Sequence, residues 1–135
     1  MSHYLSFNKV LFVGRIAKDP ELKQVKEKQS HLSRVTLVTQ ELFYSPSKDK
    51  HETRPEWHLC IAWGKRAEFI GNKLKKGRIV VIEGKLRHRY YDDEKGERRK
   101  ISQVEVENII PLPFGKPEEV EEPQEEEKES ERDPF

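Results

Sequence analysis

From His31 to Tyr44 the chain alternates β-branched and apolar side chains, Val35 and Leu37 on one face and Thr36 and Val38 on the other, for about a dozen positions. Most strands stop at about half that length, and a sheet of such long strands must bend. Long, bent strands suit a closed barrel. A second long run, Arg78 to Tyr91, holds Ile79-Val80-Val81-Ile82 and then Gly84. The turn chemistry of Asp92-Asp93-Glu94-Lys95-Gly96 joins it to a third run, Arg98 to Ile110, as a hairpin.

Shorter elements complete the pattern. Asn8 to Ile16 is β-rich, with Gly14 marking a bulge, and Asp19-Pro20 supplies a turn. Glu56 to Trp63 reads as an aromatic-rich strand, and the polar stretch Tyr44 to Pro55 as a mobile hairpin loop. Ala67, Ile70 and Leu74 have the spacing of a short amphipathic helix over Arg66 to Lys76, ended by Gly77. The order β-β-β-α-β-β is that of an all-β OB-fold, a five-stranded Greek-key barrel with one short helix between strands 3 and 4. A sandwich with an incidental helix accommodates the same order.

At 135 residues, with 38% charged side chains and a mean hydropathy of −0.94, the chain supplies one domain with a thin core, which favours subunit contacts that complete it. Cys60 is the only cysteine, so an intrachain disulfide and a paired-thiolate zinc site are both excluded. Near the N-terminus the longest apolar run is Val10 to Val13, too short for a signal segment or a membrane span. A soluble, cytoplasmic protein is expected.

Charge divides the chain in two. Residues 116–135 carry ten acids and three cations, and removing them from the totals of 25 and 26 leaves 15 acids and 23 cations, a body of net charge +8. Such a body suits a polyanion. From Glu118 onward there is no periodicity and little to bury, the composition of disorder. The expected organisation is a folded domain over 1–112 and an acidic tail over 113–135 that ends in Asp133-Pro134-Phe135.

A single nucleic-acid strand is held by rings that stack on bases and cations that follow phosphates. Candidate rings are Phe43, Tyr44, Trp57, Trp63, Tyr90 and Tyr91. Lys85, Arg87, Arg89 and Tyr91 lie two apart and so share one strand face, which is either a basic binding row or a solvated surface. By the same parity Trp57, Leu59, Ile61 and Trp63 form one set, read as inward, with His58, Cys60 and Ala62 facing away. His58 and Cys60 give a metal two ligands and no third nearby, so no metal or other cofactor is expected. No nucleophilic triad is arguable, and Asp92-Asp93-Glu94, the one dense acidic group of the body, reads as turn residues, not a nuclease site.

Several ordered blocks carry a resemblance: Asn8 to Arg15, Asp19-Pro20-Glu21, Val35 to Thr39, Glu56-Trp57-His58, Trp63 to Glu68, Leu74 to Gly77 and Val81 to Arg87. Together with the terminal Asp-Pro-Phe, they resemble the bacterial single-stranded DNA-binding proteins over about residues 7 to 112. The resemblance implies an OB barrel that assembles as a homotetramer, wraps single-stranded DNA without sequence preference and catalyses nothing. It implies base stacking at Phe43, Trp57, Trp63 and Tyr91, phosphate contacts at Lys65, Lys76, Arg87 and Arg89, and a subunit contact at His58. Phe43, Trp63 and Tyr91 differ in ring type from the commonest family form, and Leu59 stands where many members have a cation. The tail implies docking to replication, recombination and repair enzymes through Asp133, Pro134 and Phe135, although Arg132 inserts a cation and the usual aliphatic residue is missing. The implied location is the cytoplasm, at the nucleoid.

Overall fold

A computed structural model of the chain describes residues 5–26 and 30–114. Among these residues it contains β1 (Val10–Ile16), β2 (Glu21–Val25), β3 (Ser30–Ser45), β4 (Lys50–Trp63), α1 (Gly64–Lys73), β5 (Ile79–Asp92) and β6 (Arg98–Pro111). The sheet runs β1-β5-β6-β4-β3-β2, and an added β1–β3 pairing closes it. Five strands, β1, β3, β4, β6 and β5, therefore form a closed barrel with α1 between its third and fourth strands: the OB-fold. The tail residues Asp133, Pro134 and Phe135 lie outside the described residues.

The barrel is filled from alternating positions. Ile16, Val35, Leu37, Val80, Ile82, Val104 and Val106 point inward, and Ala67, Ile70 and Leu74 of α1 pack against them. Completely burying a branched side chain such as Leu37 or Ile82 stabilises the fold by about 1.5–3 kcal/mol. β6 takes an extra residue, Glu107, between the pairs Glu83↔Asn108 and Gly84↔Val106. At this bulge Gly84 lies so close to β6 that a Cβ would stand 2.2 Å from the Glu105 carbonyl oxygen.

Gly14 marks no bulge, since β1 pairs with β5 without a slip and a Cβ at Gly14 would stand 2.6 Å from the Val38 carbonyl oxygen, and two elements also differ from the expectation. β2 is an added edge strand antiparallel to β3, and its only strongly apolar side chain at the sheet centre, Leu22, sits over α1 where Gly71 leaves room. One leucine among polar residues gives no periodic signal. The stretch Tyr44 to Pro55 is mostly strand, since β3 and β4 pair without a slip from Leu32↔Trp63 to Ser45↔Lys50. The turn is confined to residues 46–49, with Asp49 at φ 48°. This arm extends past the barrel and has no core beneath it, so neither face acquires the apolar pattern that marks a strand.

Candidate nucleic-acid interface

The outer face of the barrel is defined by register. Cys60↔Val104 points inward, so the neighbouring pair Ile61↔Glu105 points outward and joins β4 to β6 on the exterior. On β4 that outward set is Trp57, Leu59, Ile61 and Trp63, while Cys60 and Ala62 are buried in the core. This reverses the expected orientation of β4. The barrel beside α1 is narrow and takes thiol and methyl groups, leaving no volume for two indoles.

Trp57 and Trp63 are half-buried, neither sealed inside nor projecting free. The Trp57 indole Nε1 is shielded from solvent and has no hydrogen-bond partner among the described residues. Ile61 and Arg34 form the floor between the two rings, and the Arg34 guanidinium lies 3.9 Å from Glu21.

Across β6 the same face continues onto β5. Lys85, Arg87, Arg89 and Tyr91 pair with Glu105, Gln103, Ile101 and Arg99 in turn, so the basic row and its terminal ring share one exterior surface. Acids interrupt it. Arg87 Nε donates to Glu105 Oε2 at 3.2 Å, and Lys85 lies 3.8 Å from Glu107. Arg89 and Tyr91 are half-buried within the row. At the tip Arg98 stacks over Tyr90, 4.6 Å from the ring centroid.

Asp93 holds this hairpin turn. Its Oδ1 accepts the Lys95 and Glu97 amides at 2.9 Å each, and its Oδ2 accepts Arg99 Nε at 2.9 Å. The Arg99 hydrogen bond, followed by the Glu97 amide, holds the Asp93 carboxyl below its ordinary value. Of the three acids, Asp93 is thus occupied in the turn. Among the described residues no group of three or more His, Cys, Asp and Glu is arranged to hold a metal ion.

The remaining predicted residues are spread around this face. Lys65 opens α1 two residues after Trp63 and is exposed. Lys76 lies in the loop after α1, where its amide donates to Asp19 Oδ1 at 2.8 Å. Next to it the Gly77 carbonyl accepts Arg15 Nη1 at 3.2 Å. Arg15 was not expected at the site, yet it pairs with Val38, which pairs with Trp57, so it flanks the Trp57 row. The clue in the sequence is its parity with the outward Leu11 and Val13. Phe43 lies on the arm under the Arg54 guanidinium, 4.5 Å from its ring centroid, at a register position opposite in face to Trp57.

His58 points inward from β4, away from the tryptophans. Its ring stacks on Phe12 with centroids 4.1 Å apart, and its Nε2 lies 2.8 Å from Thr39 Oγ1. Burial, partly offset by Glu56, pushes its pKa below the ordinary histidine value of 6.5.

The pattern of the Single-strand binding protein family matches residues 7–112, which is most of the chain. The chain belongs to that family. Among curated relatives, Single-stranded DNA-binding protein 1 of Chlorobaculum tepidum is 41% identical over 98 residues, covering 72% of this chain and 59% of that protein. Single-stranded DNA-binding protein 2 of Clostridium acetobutylicum is 31% identical over 109 residues, 81% of this chain and 79% of the relative. Of solved structures, a deletion mutant of the single-stranded DNA binding protein from Thermus aquaticus superposes with a TM-score of 0.67 at 27% identity, over 78% of this chain and 50% of that one. The Plasmodium falciparum SSB complex with ssDNA shares the fold, with a TM-score of 0.73 at 21% identity, over 82% of this chain and 99% of that one. The family and these relatives are named for binding, not for catalysis.

Proposed function

We propose that this single-strand binding family member coats single-stranded DNA without sequence preference, its bases stacking on Trp57, Trp63 and Tyr91 and its phosphates following Lys65, Lys76, Arg87 and Arg89. The observation that carries this reading is the continuous outer face on which β4, β6 and β5 present two indoles, a phenol ring and a row of cations. Rings and cations on one face grip any base order, because every base has a stacking surface and every nucleotide a phosphate. The relatives' names point to the same ligand.

The reading extends to assembly and recruitment. Leu11 and Val13, 64% and 59% exposed, lie on the outer face of β1, and the β1–β5–β6 register carries that surface through Val81 to Ile110. An exposed apolar sheet face of this kind suits a second copy of the chain, in keeping with a homotetramer, whereas His58 points inward against Phe12 and lies off this outer face. The domain over residues 1–112 would then hold DNA, while 113–135 presents Asp133, Pro134 and Phe135 to enzymes of replication, recombination and repair at the nucleoid.

Fluorescence anisotropy with labelled oligo-dT and a duplex of equal length tests the core of the proposal. Tight, salt-dependent binding to the single strand and weak binding to the duplex are expected, with a log–log salt slope of about −0.7 per phosphate neutralised. Equal affinity for both refutes it. Light scattering after size exclusion reads the assembly, and pull-down by the full chain but not by one lacking Phe135 reads the tail.

A further inference from the structure

We infer that Tyr44, with Leu42, continues the single-strand track of Trp57 along the β3–β4 arm, in place of Phe43. This rests on the binding role proposed above.

Register selects the face. From Leu32↔Trp63 to Ser45↔Lys50 the pairing never slips, so alternation is preserved along the whole arm. Val38, Gln40, Leu42 and Tyr44 share the side of Trp57, Pro55, Thr53 and His51. Phe43 and its stacked Arg54 are on the reverse side. A strand that leaves Trp57 along its own face meets Leu42, 70% exposed, and then Tyr44, 48% exposed. The six residues from Trp57 to His51, the partner of Tyr44, span about 20 Å.

Charge selects the same face independently. Between Trp57 and the turn the Tyr44 side carries no acid, whereas the Phe43 side carries Glu41, Glu52 and Glu56 beside Lys50 and Arg54. A polyanion is repelled by those carboxylates, whereas along the Tyr44 side the one acid it meets is Asp49 in the turn, which accepts the Tyr44 hydroxyl. The Tyr44 ring is also held in place: its hydroxyl donates to Asp49 Oδ1 in the turn, and His51 meets it edge-on with centroids 5.4 Å apart. A ring already fixed loses little freedom when a base stacks on it.

Anisotropy titration of the full chain with oligo-dT long enough to span groove and arm compares Y44L, Y44F, F43L and W57A. Y44L is expected to raise Kd by at least about 5-fold, the lower bound for one stacked base, and Y44F by less than about 2-fold. F43L is expected to weaken binding less than Y44L. Wild-type affinity in Y44L overturns the inference: if W57A still weakens binding the failure is confined to the arm, and if W57A is silent too the proposed function fails with it. An equal loss in Y44F and Y44L also overturns it, since the hydroxyl bond to the turn, and not the ring face, would then carry the effect.

Discussion

Removing a negative charge from the groove tests the site more sharply than removing a positive one. Arg87 is held by Glu105 at 3.2 Å, with both side chains about half exposed, so the pair contributes only about 0.2–1 kcal/mol to stability. To take up a phosphate, Arg87 must leave Glu105, whose carboxylate then faces the phosphate. Two like charges about 6 Å apart in a water-like dielectric repel by about 0.7 kcal/mol. Glu105→Gln removes both penalties, a gain of about 0.9–1.7 kcal/mol, or about 5- to 18-fold tighter binding. The salt slope should steepen by up to about 0.7, because Arg87 is no longer neutralised within the protein before binding. Anisotropy titrations of oligo-dT across a salt series measure both quantities. In an Arg87→Ala background the gain should vanish, which separates the local exchange from a general change of net charge. An E105Q protein that binds no better than wild type, or whose gain survives in R87A, refutes the reasoning.

Three further outcomes follow from the barrel itself. Gly84→Ala places a Cβ 2.2 Å from a β6 carbonyl that belongs to the backbone and has little room to move, so a loss of about 1–3 kcal/mol is expected. For a domain of this size that is a fall in Tm of about 4–8 °C per kcal/mol by calorimetry, and an unchanged Tm contradicts the close approach. His58 has a lowered pKa when folded, so below about 6.5 the unfolded chain takes up a proton that the folded chain refuses; stability is complete above that value and declines as pH falls below it. Melting curves against pH should show this decline, and His58→Gln should flatten it. Burial pushes the Cys60 thiol up to about 12, so a thiol reagent should leave the folded protein unlabelled and react fully in denaturant.

The element order was legible because each barrel strand carries a glycine, a turn or a β-branched run that local chemistry can read. The basic row of β5 was legible too, since Lys85, Arg87 and Arg89 cannot be buried together and alternation then fixes their common side. The arm and β2 were not, because strands without a core beneath them lose the apolar alternation by which strands are recognised. The face of β4 was misread for a different reason. Hydrophobicity ranks tryptophan and isoleucine as inward residues, whereas burial in this barrel is limited by volume: Ile61 is 1% exposed on the outer side, beneath the groove, and the interior takes Cys60 and Ala62.

That volume limit ties the site to the fold. Shifting β4 by one residue against β3 would carry Trp57 and Trp63 into an interior already filled by Ile16, Leu37 and Ile70, and would expose Cys60 and Ala62 in the groove. Indoles do not fit there, so packing rejects the slipped pairing before any ligand is present. The same rejection extends along the arm, because fourteen continuous pairs move together or not at all. The small residues inside β4 therefore set which rings face outward as far as Tyr44, and the ring-bearing outer face is fixed by the core packing.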